Sequence, residues 1–409
     1  MEEDSRMQTT DKKTKTVLVV GGGVAGISAA LDLAGNGHRV HLVERGYDLG
    51  GQVAKLDKFY PTDHCAFCPL WTEIRRCKED EAIAIHPLSR VETLEQQPGG
   101  YRAVVVQSAY VVDPSLCINC GRCEAACPKG VAKPIGEHAY PPVHVIDGNR
   151  CGDCRACVEV CPTKAIAFDR EEQRVALDAD EVIWAAGFDE VSLAPMKEYG
   201  WGTHPDILTS LEFEAWKAEA GDNRGKIVRR SDGAVPRSIL FVQCAGARDL
   251  RLLPHCSAVC CMHALKQAQW VKRRHPDIDC VILYTDLRTV GRDYYEYALR
   301  DFNGNGVRLV RGRSSLITPL PGGNGIAVKY EDTITGKREI RQFDMVVLNG
   351  NLQSSLASKP APEARPELSG EGFVTAAAVS CGFVMEPADV TESAIQAASA
   401  ALRTITDKN

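Results

Sequence analysis

The chain has 409 residues, of which 44% are hydrophobic and 25% are charged, a composition typical of a soluble globular protein of two or three domains. Its net charge of −6 argues against a general nucleic-acid-binding protein, and no apolar run approaches the roughly 20 residues needed to cross a bilayer. The polar start, residues 1–15, lacks the apolar stretch of a signal peptide, so we expect a flexible tail and a cytoplasmic protein with reduced cysteines.

Residues 16–44 predict the nucleotide-binding end of a Rossmann fold: a buried strand, a G-x-G-x-x-G turn, a helix, and a second strand that ends in an acid. The first glycine permits the tight turn, the second lets the backbone approach a pyrophosphate, and the third lets helix and strand pack closely. The acid can accept hydrogen bonds from both ribose hydroxyls. The early position of the motif, and the Leu-Gly-Gly-Gln run after it, resemble the FAD half of a disulfide-reductase-like flavoprotein. The residues expected to contact FAD here are Gly21, Gly23, Gly26, Glu44, Gly51 and Gln52.

A C-x-x-C pair follows, formed by Cys65 and Cys68, with Cys77 further along the chain. Such a pair just after an FAD motif is consistent with a redox dithiol beside the flavin. It is equally consistent with ordinary buried thiols, and the sequence leaves both interpretations open. We expect His64 to have a structural role.

Two complete copies of the run C-x-x-C-x-x-C-x-x-x-C-P lie within residues 117–162. Bacterial ferredoxins use this run to hold two 4Fe–4S clusters, with three thiolates of one loop on one cluster and the fourth on the other. The first cluster is therefore expected on Cys117, Cys120, Cys123 and Cys161. The second is expected on Cys151, Cys154, Cys157 and Cys127. Two complete runs disfavour the alternative of paired zinc sites.

The second half of the chain predicts another Rossmann unit. Residues 181–187 resemble the strand end that passes between the domains of two-dinucleotide flavoproteins, with Gly187 expected at the flavin, although another buried strand is the alternative. A helix is expected within residues 208–232, and a strand at 238–243 opens the new unit. The turn after that strand carries cysteine where a nicotinamide-linked reductase would carry a second glycine motif. The nicotinamide site is therefore predicted to be lost.

Four cysteines stand in its place, namely Cys244, Cys256, Cys260 and Cys261. A helix is expected over residues 258–274. Cys256 and Cys260 are four residues apart, so a helix would place both thiols on one face. Cys261 would be turned about 100° away. The spacing matches no common zinc or ferredoxin site, so these residues alone are only suggestive.

The sequence around these cysteines, Gln-Cys-Ala-Gly-Ala-Arg-Asp at residues 243–249 and Cys-Ser-Ala-Val-Cys-Cys at 256–261, resembles the HdrA family of heterodisulfide reductase flavoproteins. The likeness covers residues 16–402 and is closest to the QmoA branch, the flavoprotein of the quinone-interacting membrane-bound oxidoreductase complex. The resemblance implies FAD, an inserted ferredoxin domain, and a third 4Fe–4S cluster held near the flavin by the four cysteines. The absence of the additional iron–sulfur segments of longer members favours the QmoA type.

The resemblance also implies that Lys266 lies near the flavin ring, where a cation would stabilise reduced, anionic flavin. A solvated helix lysine is the alternative, and Glu214 is a second flavin-proximal candidate. Near the end of the chain, Gly382 belongs to a closing flavin motif. Asp389 and Glu392 fit a capping box for a final helix whose N-terminus could face the flavin. Cys280 and Cys381 are expected to be buried thiols.

The predicted fold class is α/β: a flavoprotein with two dinucleotide-binding domains, Rossmann-type parallel sheets and an inserted bacterial ferredoxin-like domain with two 4Fe–4S clusters. The FAD-binding domain is expected at residues 16–107, 169–235 and 346–409. The ferredoxin domain is expected at 108–168, and the second Rossmann-like domain, with the third cluster, at 236–345.

The predicted function is that of an electron-transfer subunit in an oxidoreductase complex, coupling two-electron flavin chemistry to one-electron transfer through clusters. The resemblance implies partner subunits: in the QmoA type, adenylylsulfate reductase and a membrane subunit that reacts with menaquinone. One alternative is a flavin-bifurcating subunit of a heterodisulfide reductase complex. Others are a stand-alone reductase using Cys65 and Cys68 as its dithiol, and a passive scaffold with degenerate sites, which the complete ferredoxin runs disfavour.

Overall fold

The computed structural model describes residues 14–134, 143–146, 150–218, 224–302, 306–358 and 364–406. Most of the predicted N-terminal tail therefore lies outside the described residues. The helices in the described part are α1 (Val24–Gly35), α2 (Phe67–Glu79), α3 (Arg122–Ala126), α4 (Ala156–Glu159), α5 (Ser210–Lys217), α6 (Cys260–Arg274), α7 (Tyr294–Phe302) and α8 (Val390–Ile405). Short 3₁₀ turns occur at Val53–Lys55, Lys197–Tyr199, Ser355–Ala357 and Gly382–Val384.

The strands in the same part of the chain are β1 (Thr16–Val20), β2 (Arg39–Val43), β3 (Ile83–His86), β4 (Ser89–Gln97), β5 (Gly100–Gln107), β6 (Ala132–Pro134), β7 (His144–Ile146), β8 (Gln173–Ala179), β9 (Glu181–Trp184), β10 (Phe188–Glu190), β11 (Ile207–Thr209), β12 (Ser238–Val242), β13 (Asp279–Tyr284), β14 (Val307–Arg311), β15 (Ser314–Pro319), β16 (Ile326–Asp332), β17 (Lys337–Phe343), β18 (Met345–Leu348), β19 (Leu352–Ser354) and β20 (Val379–Ser380).

The first Rossmann sheet is parallel, with strand order β20–β9–β1–β2–β3. Side chains of β1 alternate between its two faces. Val17 and Val19 pack against α1, α2 and α8, whereas Leu18 packs against the antiparallel sheet β4–β5–β8. Both faces are therefore covered, which explains why β1 reads as a continuous apolar run rather than an alternating one.

The second Rossmann sheet repeats this design, with parallel order β11–β18–β12–β13–β14. Helices α5, α6 and α7 cover one face, and the antiparallel sheet β15–β16–β17 covers the other. Strands β11 and β18 were assigned from sequence to the FAD-binding domain. Because they pair within the second sheet, the predicted boundaries at residues 235 and 345 are corrected. The helix expected within residues 208–232 is also shorter, since α5 ends at Lys217.

Two connections link these units to each other and to the cysteine-rich insert. After Gly187 the chain enters β10, which pairs antiparallel with β19 between the two Rossmann units. The insert lies between β5 and β8 and contains α3, β6, β7 and α4. Its two ends meet where Val112 pairs with Ile166. Its core is a small apolar cluster, and six of its eight cysteine side chains belong to that cluster or pack against it. No helix among the described ranges is both long and apolar enough to cross a membrane.

Candidate functional site

A cavity of about 620 Å³ lies between the two Rossmann units. Its walls come from the glycine turn before α1, the strand end at residues 185–188, the loop at 58–62, the first turns of α6 and the N-terminus of α8. The carboxyl ends of parallel strands are where open α/β folds bind nucleotides. The position and size of the cavity therefore suit a dinucleotide.

The three glycines before and within α1 have different structural roles. Gly21 has φ +113°, and a Cβ there would lie 2.3 Å from the carbonyl oxygen of Ala185. A Cβ on Gly26 would lie 1.8 Å from the Gly21 carbonyl oxygen, so only glycine allows this packing. A Cβ on Gly23 would meet no atom closer than the Gly51 Cα at 3.9 Å, and no side chain caps the helix there. The free N–H groups of α1 consequently face the cavity, which favours a phosphate.

Glu44 is held in place for a ribose by two backbone amides. The Gly22 N–H donates to Oε2 at 2.7 Å and the Gly46 N–H donates to Oε1 at 2.6 Å. Each carboxylate oxygen keeps a further acceptor site, and Glu44 lines the cavity. Gln52 also lines the cavity, and its Nε2 donates to the Phe188 carbonyl at 3.2 Å.

The remaining predicted FAD residues lie along the same cavity: Gly51, Gly187 and Gly382. Gly382 has φ +71°, and a Cβ there would lie 2.9 Å from the Ala25 Cβ. The capping box of α8 is formed: the Asp389 side chain accepts from the Glu392 amide, and the Glu392 side chain accepts from the Asp389 amide. With two helix N-termini, a ribose-type acid and these close glycine contacts, the residues present fit FAD.

A buried network of charges lies behind the part of the cavity wall that Lys266 and His263 form. Glu214 is fully buried and accepts hydrogen bonds from Lys266 Nζ at 2.7 Å and Gln267 Nε2 at 2.9 Å. Lys217 Nζ lies 3.3 Å from Glu214 and also 3.3 Å from Asp57. Burial raises the pKa of Glu214, but the two lysines outweigh it and hold that pKa well below its usual range.

Lys266 is 1% exposed, so it is not a solvated helix lysine. Its Nζ donates to Glu214 and, at 2.9 Å, to the Lys58 carbonyl. An ammonium group has three donors, so one remains for the cavity that Lys266 lines. His263, one turn before Lys266, also lines the cavity, and burial lowers its pKa to about 4.

The loop at residues 57–63 holds this wall against the first Rossmann unit. Besides the Asp57 and Lys58 contacts, Asp63 accepts from the Tyr297 hydroxyl at 2.7 Å and pairs with Arg273 at 2.6 Å. Helices α6 and α7 of the second unit are thus attached directly to a loop of the first. Sequence reasoning missed the residues of this wall other than Lys266 and Glu214. A detectable signal existed along α6, where Cys260, His263 and Gln267 recur at helical spacing.

The four cysteines of the second Rossmann unit form one group. The thiols of Cys260 and Cys261 are hydrogen-bonded to each other, and the Cys260 thiol is influenced electrostatically by Cys244 and Cys256. Cys244, Cys260 and Cys261 are buried, and Cys256 is half-buried. Cys256 precedes α6, which begins at Cys260, so the predicted helical face shared by these two residues is wrong. The loop, rather than the helix, brings Cys256 to the others.

This group abuts the flavin cavity, because Cys260 forms part of its wall. Cys244 has φ +57°, a strained conformation for a residue with a side chain, and such strain is often found at functional sites. Burial raises the pKa of the Cys244 thiol, so a free thiolate is disfavoured unless a cation compensates it. Four grouped, mostly buried thiols fit an iron–sulfur cluster in number and chemistry.

The insert brings its eight cysteines together in the crossed arrangement expected from the sequence. Cys117, Cys120, Cys123 and Cys161 line one small cavity. In the other set, the Cys157 thiol is influenced electrostatically by Cys151, Cys154 and Cys127. The Val131 N–H donates to Cys127 Sγ and the His144 N–H to Cys117 Sγ, both at 3.4 Å, as amides do around cluster sulfurs. Across the described ranges, no three His, Cys, Asp or Glu side chains converge tightly enough for a single metal ion.

The other predicted cysteines separate into two kinds. Cys65 and Cys68 lie at the N-terminus of α2. Neither is among the described residues that line the flavin cavity. Cys77, Cys280 and Cys381 are buried in the apolar cores of the Rossmann units. Burial raises the pKa values of Cys77 and Cys381 to about 12, which makes them unreactive.

Comparison with known proteins agrees with these sites. A model of FAD dependent oxidoreductases matches residues 16–82, and a model of 4Fe-4S dicluster domains matches residues 111–166. The expectations of FAD and of two ferredoxin-type clusters are therefore confirmed, and paired zinc sites are not supported. The four cysteines of residues 244–261 lie outside both matched segments.

Three similar proteins are HdrA chains of methanogen enzymes. The second HdrA iron–sulfur chain of the Methanopyrus kandleri CoB–CoM heterodisulfide reductase is 36% identical over 99% of this chain and 65% of its own length. The HdrA chain of the Methanocaldococcus jannaschii enzyme is 33% identical over 88% of this chain and 57% of its own. The corresponding chain of the Methanococcus maripaludis H2/formate:CoB–CoM heterodisulfide,ferredoxin reductase is 33% identical over 95% and 63%. The chain thus spans less than two thirds of each relative.

Solved structures agree with the predicted fold. Thioredoxin reductase of T. acidophilum superposes with a TM-score of 0.55 at 12% identity, covering 96% of this chain and 98% of its own. The Lactococcus lactis thioredoxin reductase in its FR conformation gives 0.53 at 13% identity, with the same coverage. The predicted flavoprotein fold with two dinucleotide-binding domains is confirmed.

Proposed function

Because the chain is a homologue of the HdrA chains of heterodisulfide reductases over nearly its whole length, we propose that it is the FAD and iron–sulfur electron-transfer subunit of a heterodisulfide-reductase-type complex. One observation supports this proposal above the others. Cys260, from the group of four cysteines, and the glycine turn of the dinucleotide site are walls of the same cavity. A cluster held by that group would therefore adjoin a flavin in the cavity.

The carriers that fit these sites differ in how they move electrons. FAD exchanges electrons in pairs, whereas a 4Fe–4S cluster exchanges one at a time. A site that joins the two kinds of carrier lets electron pairs be divided or combined. The residues proposed to hold a third cluster are Cys244, Cys256, Cys260 and Cys261. The eight cysteines of the insert hold the two clusters that lead towards a partner subunit.

The buried wall has a defined task in this proposal. Glu214 fixes the Lys266 ammonium by a hydrogen bond of 2.7 Å, and the Lys58 carbonyl fixes it from a second direction. Lys266 then presents its remaining N–H to the cavity, where a positive group favours a negatively charged ring system. The two carboxylates of Asp57 and Glu214 balance the two ammonium groups of Lys217 and Lys266, so these four side chains carry no net charge.

Two narrower versions of the function differ in the partners. In a heterodisulfide-reductase-type complex, the chain would serve flavin-based bifurcation, with separate one-electron outlets. In a QmoA-type complex, it would exchange electrons between menaquinone, through a membrane subunit, and adenylylsulfate reductase. The relatives described above are heterodisulfide reductase subunits, and this supports the first version more than the second. We place the protein in the cytoplasm in the first version and at the membrane surface, through its partners, in the second.

Anaerobic purification of the tagged protein from its own cells tests the proposal. The expected result is a complex of several subunits in which this chain contains one FAD and about 12 irons, four for each of three clusters. The identity of the co-purifying subunits distinguishes the two versions. Purification as a single chain, with a flavin that NADH or NADPH bleaches rapidly, would instead favour a stand-alone reductase.

A further inference from the structure

The C-x-x-C pair of the first Rossmann unit, Cys65 and Cys68, lies at the start of a helix and partly at the protein surface. Cys65 immediately precedes Ala66, the N-cap of α2, and Cys68 is the second residue of that helix. The two thiols are hydrogen-bonded to each other. Cys68 is exposed and Cys65 is half-buried. The pair is therefore accessible from outside the protein, unlike Cys77 on the same helix, which is buried.

The surroundings of Cys65 favour its thiolate. Burial raises its pKa, but the hydrogen bond from Cys68 and the backbone amides of Phe67 and Cys68 outweigh burial and lower it. Lys58, which pairs with Cys65 across an antiparallel bridge, adds a favourable positive charge. The pKa of Cys68 is raised by the same contact. A stabilised thiolate beside an exposed thiol is the arrangement that thiol–disulfide exchange requires.

We propose that Cys65 and Cys68 are a redox-active dithiol that reduces disulfides at the protein surface. The Cys65 thiolate attacks one sulfur of a disulfide R–S–S–R, which forms a mixed disulfide and releases one thiolate that takes up a proton as RSH. Cys68 then loses its proton and attacks the Cys65 sulfur, which closes the Cys65–Cys68 disulfide and releases the second RSH. Two electrons leave the dithiol and reduce the substrate disulfide. A second thiol, R′SH, regenerates the dithiol by the same exchange in the opposite direction: two R′SH are oxidised to R′–S–S–R′, and their two electrons and two protons pass to Cys65 and Cys68.

This site goes beyond the proposed electron-transfer function, which requires neither cysteine. Because the pair is outside the cavity wall, it is not the flavin-facing dithiol of a stand-alone reductase. It is nevertheless attached to that wall. Lys58 pairs with Cys65 on one side, and its carbonyl accepts from Lys266 on the other. The substrate disulfide can be a small molecule or a protein, and the chemistry is the same for both.

Equilibration of the intact, cluster-loaded protein with redox buffers tests the proposal. The protein is incubated anaerobically with glutathione mixtures in one arm and thioredoxin mixtures in the other, over a range of thiol-to-disulfide ratios, and is then alkylated and digested with trypsin. The tryptic peptide of residues 59–75 contains Cys65 and Cys68 as its only cysteines. Iron and flavin contents, measured in parallel, show whether the other sites stay intact.

The expected result is conversion of this peptide to its internal disulfide, two hydrogens lighter, in proportion to the redox ratio. Conversion by glutathione alone identifies a small-molecule disulfide, and conversion by thioredoxin alone identifies a protein disulfide. The C68S variant should accumulate a mixed disulfide on Cys65, whereas C65S should form at least tenfold less on Cys68. Peptide that stays fully alkylated at every ratio in both arms would overturn the proposal. Equal mixed-disulfide formation in the two variants would overturn the assigned order of attack.

Discussion

The molecule holds cysteine groups in two contrasting ways. In the insert, eight cysteines lie in two regular runs, and six of them belong to or pack against a small core that also contains Val112, Ile146 and Ile166. At residues 244–261, four irregularly spaced cysteines lie at the edge of a large apolar core built by the second Rossmann unit. The first group is defined by local spacing, and we expect the fold of the insert to depend on its bound metal. The second group is positioned by the core of a Rossmann unit, which we expect to fold without metal.

Removal of iron should produce the largest difference in stability between the regions that hold the two cysteine groups. Without clusters, the insert loses the groups that link its cysteines and retains eight free thiols. Metal sites of small domains contribute on the order of 10 kcal/mol of folding free energy. We expect amide hydrogen exchange after chelation to increase at least a hundredfold across residues 111–166. Strands β1 and β12 should keep their protection. Equal loss of protection in the insert and in both Rossmann sheets would contradict the comparison.

Single ligand substitutions test the same contrast one cluster at a time. We expect Cys154→Ala in the insert and Cys260→Ala beside the cavity each to remove about four irons per chain, because each cluster contains four. Only Cys154→Ala should also make residues 111–166 sensitive to proteolysis. Cys280→Ala is the matched control, since Cys280 is a buried thiol of the second sheet outside either group. Iron analysis and limited proteolysis measure the two effects. An unchanged iron count in Cys260→Ala would contradict the proposal of a third cluster.

The contrast also explains which parts of the site the sequence could predict. The ferredoxin runs fix their ligands within a short segment, so spacing alone predicted the crossed sets. The glycine turn and Glu44 form a local strand–turn–helix–strand unit and were predicted for the same reason. The ligand set at residues 244–261 came only from family resemblance, and its predicted helical geometry was wrong because Cys256 lies in a loop.

Features that depend on distant contacts were missed. Strands β11 and β18 were assigned to the wrong unit because short apolar strands do not reveal which sheet they join. Asp57, Lys217 and His263 converge from a loop, α5 and α6, and no local pattern links them. The sequence analysis predicted that Glu214 and Lys266 lie near the flavin, but it did not identify the other members of their network.

The stability of the second Rossmann unit, which holds the second cysteine group, should decrease when the buried charge of Glu214 is removed. Glu214→Ala leaves Lys266 and Lys217 buried with one fewer compensating charge, and breaking a buried pair typically costs about 3–5 kcal/mol. We expect a decrease of that size in the unfolding free energy of the second Rossmann unit, from urea denaturation followed by hydrogen exchange of α6. Glu73→Ala, which breaks a largely exposed pair with Arg76, is the control and should cost about 0–1 kcal/mol. Equal costs would show that the wall is not held by this network.

The smallest expected effect is a pH dependence of stability caused by Glu190 in β10, the strand that joins the two Rossmann units. Burial raises the pKa of Glu190 from 4.5 to about 7, and the negative charge of Glu212 adds to this increase. Hydrogen bonds from the Thr209 side chain and the Leu211 amide, and the positive charge of Lys55, lower the pKa but do not outweigh burial. Within the described structure, one of its carboxyl oxygens is buried without a hydrogen-bond partner. The folded protein therefore holds a proton here at pH values where the unfolded chain has released it.

The sign of the pH dependence follows from that proton. Between pH 4.5 and about 7 the folded state binds the extra proton, so the stabilisation from Glu190 is present at low pH and is lost as the pH rises through this window. Glu190→Gln cannot ionise, and we expect it to exceed the wild type in unfolding free energy by about 1–3 kcal/mol at pH 8 but not at pH 4.5. Thermal unfolding of both proteins at several pH values measures the difference. Parallel curves would mean that Glu190 is more hydrated than its geometry indicates and that its pKa is not raised by burial at the junction.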